Sequence, residues 1–167
     1  MGMVLIGRRL SADEERQVLD DPATVDTLLY GDLENDEAEV PEPELDLDKS
    51  WHAIHYLLTG TAWDVDENAG AAVLGGDEIG EDNGYGPARL LSSDSVRVVA
   101  AALDAIDLET LRNRFVPEAL AAADIYPAVW DQTDADFDTY LAPYFVQLRS
   151  FYGVAAANGQ AVLIALS

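Results

Sequence analysis

The sequence predicts an α+β fold, a single compact domain in which a small mixed sheet, including the N- and C-terminal strands, is covered by several helices. Short apolar runs at residues 3–8 and 161–166 have the length and composition of buried strands. Between them, apolar residues recur at three- and four-residue steps, which is the spacing of amphipathic helices. The 167 residues suit one domain with a sizeable core.

Helix signals follow the first strand. Ser11 and Glu14 have the spacing of a capping box, in which each side chain accepts a hydrogen bond from the other residue's backbone N–H. They predict a helix over residues 12–19. Pro22 suits the first position of a second short helix, which Gly31 ends.

Residues 32–44, DLENDEAEVPEPE, predict an exposed acidic loop. The segment has two prolines, many like charges and almost nothing to bury. The alternative is a disordered segment that binds a basic partner.

The middle of the chain predicts a helix followed by two short strands. Asp48 suits the capping position of a helix that runs to Thr59, and Gly60 suits the C-terminal end of that helix. Residues 71–74 and 88–91 predict strands separated by glycine-rich connections.

Helices fill most of the second half. Three starts are marked by Ser92 or Ser93, by Asp107 for a helix through Phe115, and by Pro117 for a helix through Ala123. The last helix is long and amphipathic, and Asn158-Gly159 ends it. Because Pro143 inside this helix lacks a backbone N–H, we expect a kink or break near Thr139.

The apolar faces of these elements predict the core. Its expected members are Trp51, Ile54, Leu58, Val96, Val99, Leu103, Leu141, Leu148, Val162 and Ile164. The two terminal strands are expected to lie in one sheet.

The net charge of −23 restricts the classes of partner. An acidic surface repels phosphates, so we expect no direct binding to nucleic acid or to a membrane surface, whereas a basic protein partner or a small molecule is compatible with it. The chain has no cysteine, which excludes disulfides and thiolate metal sites. The N-terminus lacks a signal-peptide layout, and no apolar stretch reaches the ~20 residues of a membrane span, so we expect a cytoplasmic protein. Nothing indicates a cofactor or an oligomeric state.

His52 and His55 are the first candidates for chemistry. They lie three residues apart on a predicted helix, so both rings can project from one face, and nearby carboxylates are available to complete a metal site. The interleaved apolar residues favour another interpretation, in which one histidine belongs to the core and the other to its edge. Since no complete metal or catalytic signature is present, we predict no metal site.

Two motifs fall short of the sites that they resemble. Asp64-x-Asp66-x-Asn68 begins like a calcium loop, but the chain lacks the central glycine and the bidentate glutamate of such a loop. The glycines of residues 75–86 are not followed by the lysine of a phosphate-binding loop, so we interpret them as turn residues.

Arg89 is a rare cation in an acidic chain. Its guanidinium either pairs with Glu81 or Asp82, or is held free for an anionic ligand, and pairing is the favoured interpretation.

Three segments hold most of the residues able to make directed polar contacts from an aromatic wall. They are the His52/His55 helix, the Tyr85–Arg89 turn and the Tyr126–Trp130 turn. Because ligand pockets are concave and mostly apolar with a few convergent polar groups, we predict that these segments meet around one cleft. Its predicted ligand-binding lining is His55, Tyr85, Arg89 and Trp130.

The order of four blocks resembles the YfbM-like family of bacterial proteins, a domain of unknown function. The blocks are LDLDKSWHAIHYLLTG, GGDEIGEDNGYGPARLLS, DIYPAVW and FYGVAAANGQAVLIALS, preceded by an N-terminal MGM. The resemblance covers nearly the whole chain except residues 32–44, which look like a variable insert. It implies one compact α+β domain over residues 1–167, and it brings no established activity, cofactor or catalytic residue.

These observations favour a non-enzymatic cytoplasmic domain that binds a protein or a small ligand. One version is an immunity-like inhibitor whose acidic surface occupies the substrate groove of a basic enzyme. The alternative is a hydrolase or a metal-binding protein that uses the His52/His55 helix and nearby carboxylates.

Overall fold

One five-stranded sheet organises the structure, a computed structural model that describes residues 2–32, 34–130 and 136–167. The strands are β1 (Leu5–Leu10), β2 (Leu45–Asp46), β3 (Asp77–Ile79), β4 (Ala88–Leu91) and β5 (Ala161–Leu166). They lie in the order β2-β1-β5-β4-β3, and each of these pairings is antiparallel. The α+β class and the shared sheet of the two terminal strands are confirmed. The expected mixed sheet is wrong, because no long crossover joins two neighbouring strands in parallel among the described residues.

Helices occupy most of the chain between the strands. They are α1 (Ala12–Asp20), α2 (Thr24–Tyr30), α3 (Trp51–Thr59), α4 (Ala71–Leu74), α5 (Ser93–Asp104), α6 (Leu108–Arg114), α7 (Pro117–Ala122) and α8 (Ala142–Ala157). The predicted capping box begins α1, with Ser11 Oγ 3.2 Å from Glu14 N and Glu14 Oε1 3.0 Å from Ser11 N. The side chains of Ser92 and Asp107 cap α5 and α6, as expected from their positions.

The sheet separates two hydrophobic clusters. Successive residues of β5 point to opposite faces, as strand geometry requires. Val162 and Ile164 face the larger cluster, which contains buried residues of α3, α5 and α8. Leu163 and Ala165 face the smaller cluster, which contains buried residues of α1 and α2. Each predicted core residue is buried except Leu58, which is half-buried because Leu57 takes the inward position at the end of α3.

The segment between α3 and β3 differs from the prediction. Residues 71–74 form the short helix α4 and not a strand. The Oδ1 atom of Asp66 accepts hydrogen bonds from the backbone N–H groups of Asn68 and Gly70, and this turn sets the start of α4. A run of four apolar residues has no periodicity that distinguishes a strand from a buried helical turn.

Asp48 does not cap α3. It begins a 3₁₀ turn, Asp48–Ser50, which leads directly into the helix. The carboxylate that stabilises this turn belongs to Asp46, whose Oδ1 accepts a hydrogen bond from Asp48 N at 2.8 Å. At the other end of α3, Gly60 adopts the expected left-handed conformation with φ +76°.

The helix before β5 changes its winding near Thr139, as Pro143 predicts. Residues Phe137–Leu141 form a π-helical turn and α8 begins at Ala142. Pro143 therefore lies in the first turn of α8, directly after the π-helical turn.

The acidic loop is exposed where it is described. Leu33 lies outside the described residues, and the others of residues 32–44 form turns and irregular backbone in which all seven carboxylate side chains are exposed. An ion pair at 2.8 Å between Arg9 and Glu44 fixes the end of the loop to β1.

No helix in the described parts of the chain is both long and apolar enough to cross a lipid bilayer.

Candidate functional site

An open cleft of about 400 Å³ lies against the sheet at β4 and the end of β5. Its floor follows from the strand register, in which Glu78 stands opposite Arg89 and Arg89 stands opposite Ile164. Directly opposed residues of neighbouring strands point to the same face of a sheet. The three side chains therefore form one row, and all three line the cleft.

Arg89 pairs with Glu78, and the expected pairing with Glu81 or Asp82 is wrong. The nearest nitrogen–oxygen distance in the pair is 3.4 Å, and a second nitrogen of Arg89 lies 3.4 Å from the carbonyl oxygen of Gly76. The strand register explains the choice, because residues 81 and 82 lie in the loop beyond β3. Both distances are long, and the Glu78 side chain is 59% exposed, so the pair is loosely held and easily replaced.

Exposed aromatic and aliphatic side chains form the walls of the cleft. Trp63 is 62% exposed, Val65 is 47% exposed and Tyr85 is 45% exposed, and all three line the cleft. Of these, sequence reasoning selected only Tyr85. The sequence does contain a signal for Trp63. It is a tryptophan that closely follows the helix-ending Gly60 and has carboxylates nearby in the sequence.

A second depression of about 590 Å³ adjoins the cleft. The two share Val65 and Gly76 in their linings, so they form one continuous surface. Val98 on α5, which is 47% exposed, lines the second depression. We call this region, defined by Trp63, Val65, Tyr85 and Val98, the Trp63–Val98 surface.

Five carboxylates line the two depressions: Glu78 in the cleft, and Asp66, Glu67, Asp77 and Asp94 in the second depression. Residues 60–87 contain seven acidic residues and neither lysine nor arginine. The acidic residues are Asp64, Asp66, Glu67, Asp77, Glu78, Glu81 and Asp82, and all seven are exposed. The surface therefore combines apolar side chains with exposed carboxylates in its lining.

His52 is a buried structural residue. Its Nδ1 accepts a hydrogen bond from Tyr126 N at 2.8 Å, and its Nε2 lies 2.9 Å from the carbonyl oxygen of Ala62. Because a backbone N–H only donates and a carbonyl only accepts, the ring is the neutral tautomer with its proton on Nε2. Both nitrogens are committed, so His52 binds no metal without losing a hydrogen bond.

His55 is buried on the same side of α3. Its Nε2 donates to the carbonyl oxygen of Asp64 at 2.9 Å, and its ring is 0% exposed. The two histidines thus hold the segment of residues 61–64 that carries Trp63. The Trp63 ring lies on His52, with ring centroids 4.4 Å apart, so the histidines position the cleft wall.

The four residues predicted to line one cleft lie in different places. Tyr85 and Arg89 line the cleft, whereas His55 and Trp130 are buried and line neither depression. Trp130 packs edge-on against Phe115, with ring centroids 6.1 Å apart. The His52/His55 helix and the Tyr126–Trp130 turn do meet, through the His52 hydrogen bond, but they meet inside the core.

The acidic turn at Asp64–Asn68 uses its oxygens for backbone hydrogen bonds. The Oδ1 atom of Asp66 accepts two of them, as described for α4. Among the described residues, no group of three or more histidine, cysteine, aspartate or glutamate side chains is arranged to hold a metal ion.

Comparison with known proteins places the chain in a family. The model of a domain of unknown function (DUF1877) matches residues 1–165. The chain belongs to the DUF1877 family. Its structure is similar to the crystal structure of YfbM from Escherichia coli, a protein of unknown function, with 22% sequence identity over 100% of each chain and a TM-score of 0.71. No curated protein matches the sequence.

Membership in DUF1877 agrees with the family resemblance carried by the sequence blocks. At 22% identity, the similarity to YfbM concerns the fold, and it adds no activity.

Stability of this DUF1877 protein is expected to fall as the pH drops below about 6.5. Burial lowers the pKa of His52 and of His55 below the ordinary value of 6.5, despite carbonyl partners that favour the protonated rings. Below pH 6.5 the unfolded chain binds more protons than the folded chain does, so the free energy of unfolding decreases. Each histidine contributes at most about 1.4 kcal/mol per pH unit.

Two measurements check this pH dependence. Titration of the two imidazole signals by NMR is expected to give midpoints below 6.5 for both rings in the folded protein. Urea unfolding at about pH 7.5 and about pH 5.5 is expected to show a smaller loss of stability in His55→Gln, whose amide can still donate to Asp64. Equal losses in the variant and the parent protein would contradict the assignment to His55.

Proposed function

We propose that this DUF1877 protein is a non-enzymatic cytoplasmic domain that binds a basic protein through the Trp63–Val98 surface. One observation carries the proposal: exposed apolar side chains line two adjoining depressions together with five carboxylates. Contiguous exposed apolar surface with a polar rim is typical of protein interfaces.

The side chains of the site favour binding over catalysis. A general acid or base must reach the reacting group, and the two histidines are buried against backbone carbonyls. In the second depression, Ser92 Oγ accepts a hydrogen bond from Ser95 N and caps α5. The titratable residues that line the cleft are Glu78 and Arg89, which are paired with each other, and Tyr85, a phenol on the exposed rim.

Charge indicates the class of partner. A protein with a net charge of −23 attracts cationic proteins from a distance, and the carboxylates that line the two depressions add a local negative field. An immunity-like inhibitor of a basic enzyme is one form of this function. Such a pair associates faster at low ionic strength, because salt screens the attraction.

Site-specific crosslinking tests the proposal. A photoreactive residue placed at Val65 or Val98 in cells that make this protein is expected to capture the same basic protein. Val154, which is 42% exposed on α8 and lies outside both depressions, is the matched control position. The association rate of the purified pair is expected to fall roughly tenfold between low and high salt.

Three outcomes would overturn the proposal. They are an acidic partner, equal capture from position 154, and an association rate that does not change with salt.

A further inference from the structure

We propose that the cleft between Trp63 and Tyr85 is an anchor site for a cationic side chain, an arginine in the first instance. The inference rests on the proposed function, because it names the group of the basic partner that enters the surface. It assigns a ligand class to the cleft alone and not to the second depression.

The walls of the cleft suit a cation. The faces of tryptophan and tyrosine rings attract guanidinium and ammonium groups, and tryptophan attracts them most strongly. The Trp63 ring packs at a tilt against His52, with centroids 4.4 Å apart, yet it remains 62% exposed. The ring is therefore both positioned and available, which lowers the entropy that binding must overcome.

The floor of the cleft suits the stem of the same side chain. Leu166, which is half-buried, contributes apolar surface there, and Leu5 and Ile164, each 1% exposed, also line the floor. The methylene groups of arginine and lysine pack on such surface while the charged end stays near polar groups.

Glu78 supplies the carboxylate for the charged end. Its 3.4 Å contact with Arg89 is loose, and its side chain is 59% exposed. An incoming guanidinium can therefore donate a hydrogen bond to a carboxylate oxygen of Glu78. Arg89 keeps its contact with the Gly76 carbonyl oxygen. Four further carboxylates, Asp66, Glu67, Asp77 and Asp94, line the adjoining depression and add to the negative field.

The effect of removing the Arg89 charge distinguishes a site for a cation from a site for a carboxylate ligand. If the cleft held a carboxylate ligand, the Arg89 guanidinium would be the group that binds it. Removing the charge would then weaken binding. If the cleft holds a cation, Arg89 is a like charge in the site, and removing its charge strengthens binding.

Titration with small probes, followed by backbone and indole NMR signals, tests the inference. The probes are N-acetyl-arginine amide, its neutral analogue N-acetyl-citrulline amide, and the anion N-acetylglycinate. We expect the arginine probe to shift signals of the cleft and the citrulline probe to bind several-fold more weakly. Trp63→Ala is expected to weaken binding of the arginine probe about three- to fivefold, because one cation–π contact is lost.

Charge variants show whether the cleft prefers a cation or an anion. Glu78→Gln is expected to weaken binding of the arginine probe and Arg89→Gln to strengthen it, while the exposed control Val154→Ala leaves it unchanged. All variants are expected to melt at nearly the parent temperature, since each changes a residue outside the buried core.

Three results would overturn the inference. They are the absence of cleft shifts at about 50 mM arginine probe, equal binding of the citrulline probe, and tighter binding of N-acetylglycinate that Arg89→Gln abolishes. If these occur while salt-dependent crosslinking at Val65 persists, the anchor fails and the proposed function stands. Probe binding without a basic partner at Val65 or Val98 defeats the proposed function alone.

Discussion

Deletion of residues 161–167 is expected to abolish the native fold. Strand β5 pairs with β1 through six residues and with β4 through three, so it joins the two halves of the sheet. Five of its six residues are buried, and they belong to both hydrophobic clusters. Without β5, the clusters lose their shared wall and the β3–β4 hairpin loses its connection to β1.

Solubility, far-UV circular dichroism and thermal melting measure this effect. We expect the truncated protein to aggregate or to melt without a cooperative transition. A soluble truncation with a cooperative transition would show that β5 is dispensable.

A matched pair of leucine variants measures the same strand without truncation. Leu163 is fully buried in β5, whereas Leu19 on α1 is 59% exposed. Leu163→Ala is expected to lower the free energy of unfolding by about 2–5 kcal/mol, because it leaves a cavity at the centre of the sheet. Leu19→Ala is expected to change it by less than about 0.5 kcal/mol. Similar losses in the two variants would contradict the assigned position of β5.

Elements with strong local signals were predictable. The central strand β5 carries a continuous apolar run because both of its faces are buried, and β1 begins with one at Leu5 and Ile6 before the half-buried Arg8 and Arg9. The capping residues Ser11, Ser92 and Asp107 have backbone groups to satisfy at fixed offsets, so each marks a helix start. The edge strands β2 and β3 escaped prediction, since they are two and three residues long and largely exposed. Their pairing partners define them, and no local pattern does.

The candidate site was predictable only in part. Tyr85 and Arg89 were selected for their chemistry, and both line the cleft. His55 and Trp130 were selected on the same grounds, yet burial removes them from any surface. Residue type shows which side chains can make directed contacts. It does not show whether backbone carbonyls in the next loop already satisfy them, as the Asp64 carbonyl satisfies Nε2 of His55.

The two histidines connect the core with the proposed interface. The His52 ring stacks on the fully buried Trp51, with centroids 4.9 Å apart, and it also contacts the exposed Trp63. The three rings run from the core to the cleft wall. The geometry of Trp63 therefore depends on side chains that never reach solvent.

Trp51 and Trp63 are expected to separate stability from binding. Trp51 is 0% exposed, and its Nε1 donates to the carbonyl oxygen of Met3 at 3.1 Å, which fixes α3 to the segment before β1. Its ring also stacks on Tyr126, with centroids 5.8 Å apart. Trp51→Ala is expected to lower the free energy of unfolding by about 3–5 kcal/mol, because it empties a large buried volume and leaves the Met3 carbonyl without its donor.

Urea unfolding of three variants checks this expectation. Trp51→Phe keeps most of the buried ring and removes the donor, so it is expected to lose less than Trp51→Ala. Trp63→Ala, at an exposed position, is expected to lose less than about 1 kcal/mol of stability while it loses affinity for the arginine probe. If Trp63→Ala destabilised the fold as much as Trp51→Ala, Trp63 would be a core residue, and its weaker binding would carry no information about the cleft. The pair therefore tests on one stability scale whether the exposed ring is free to serve as a binding surface.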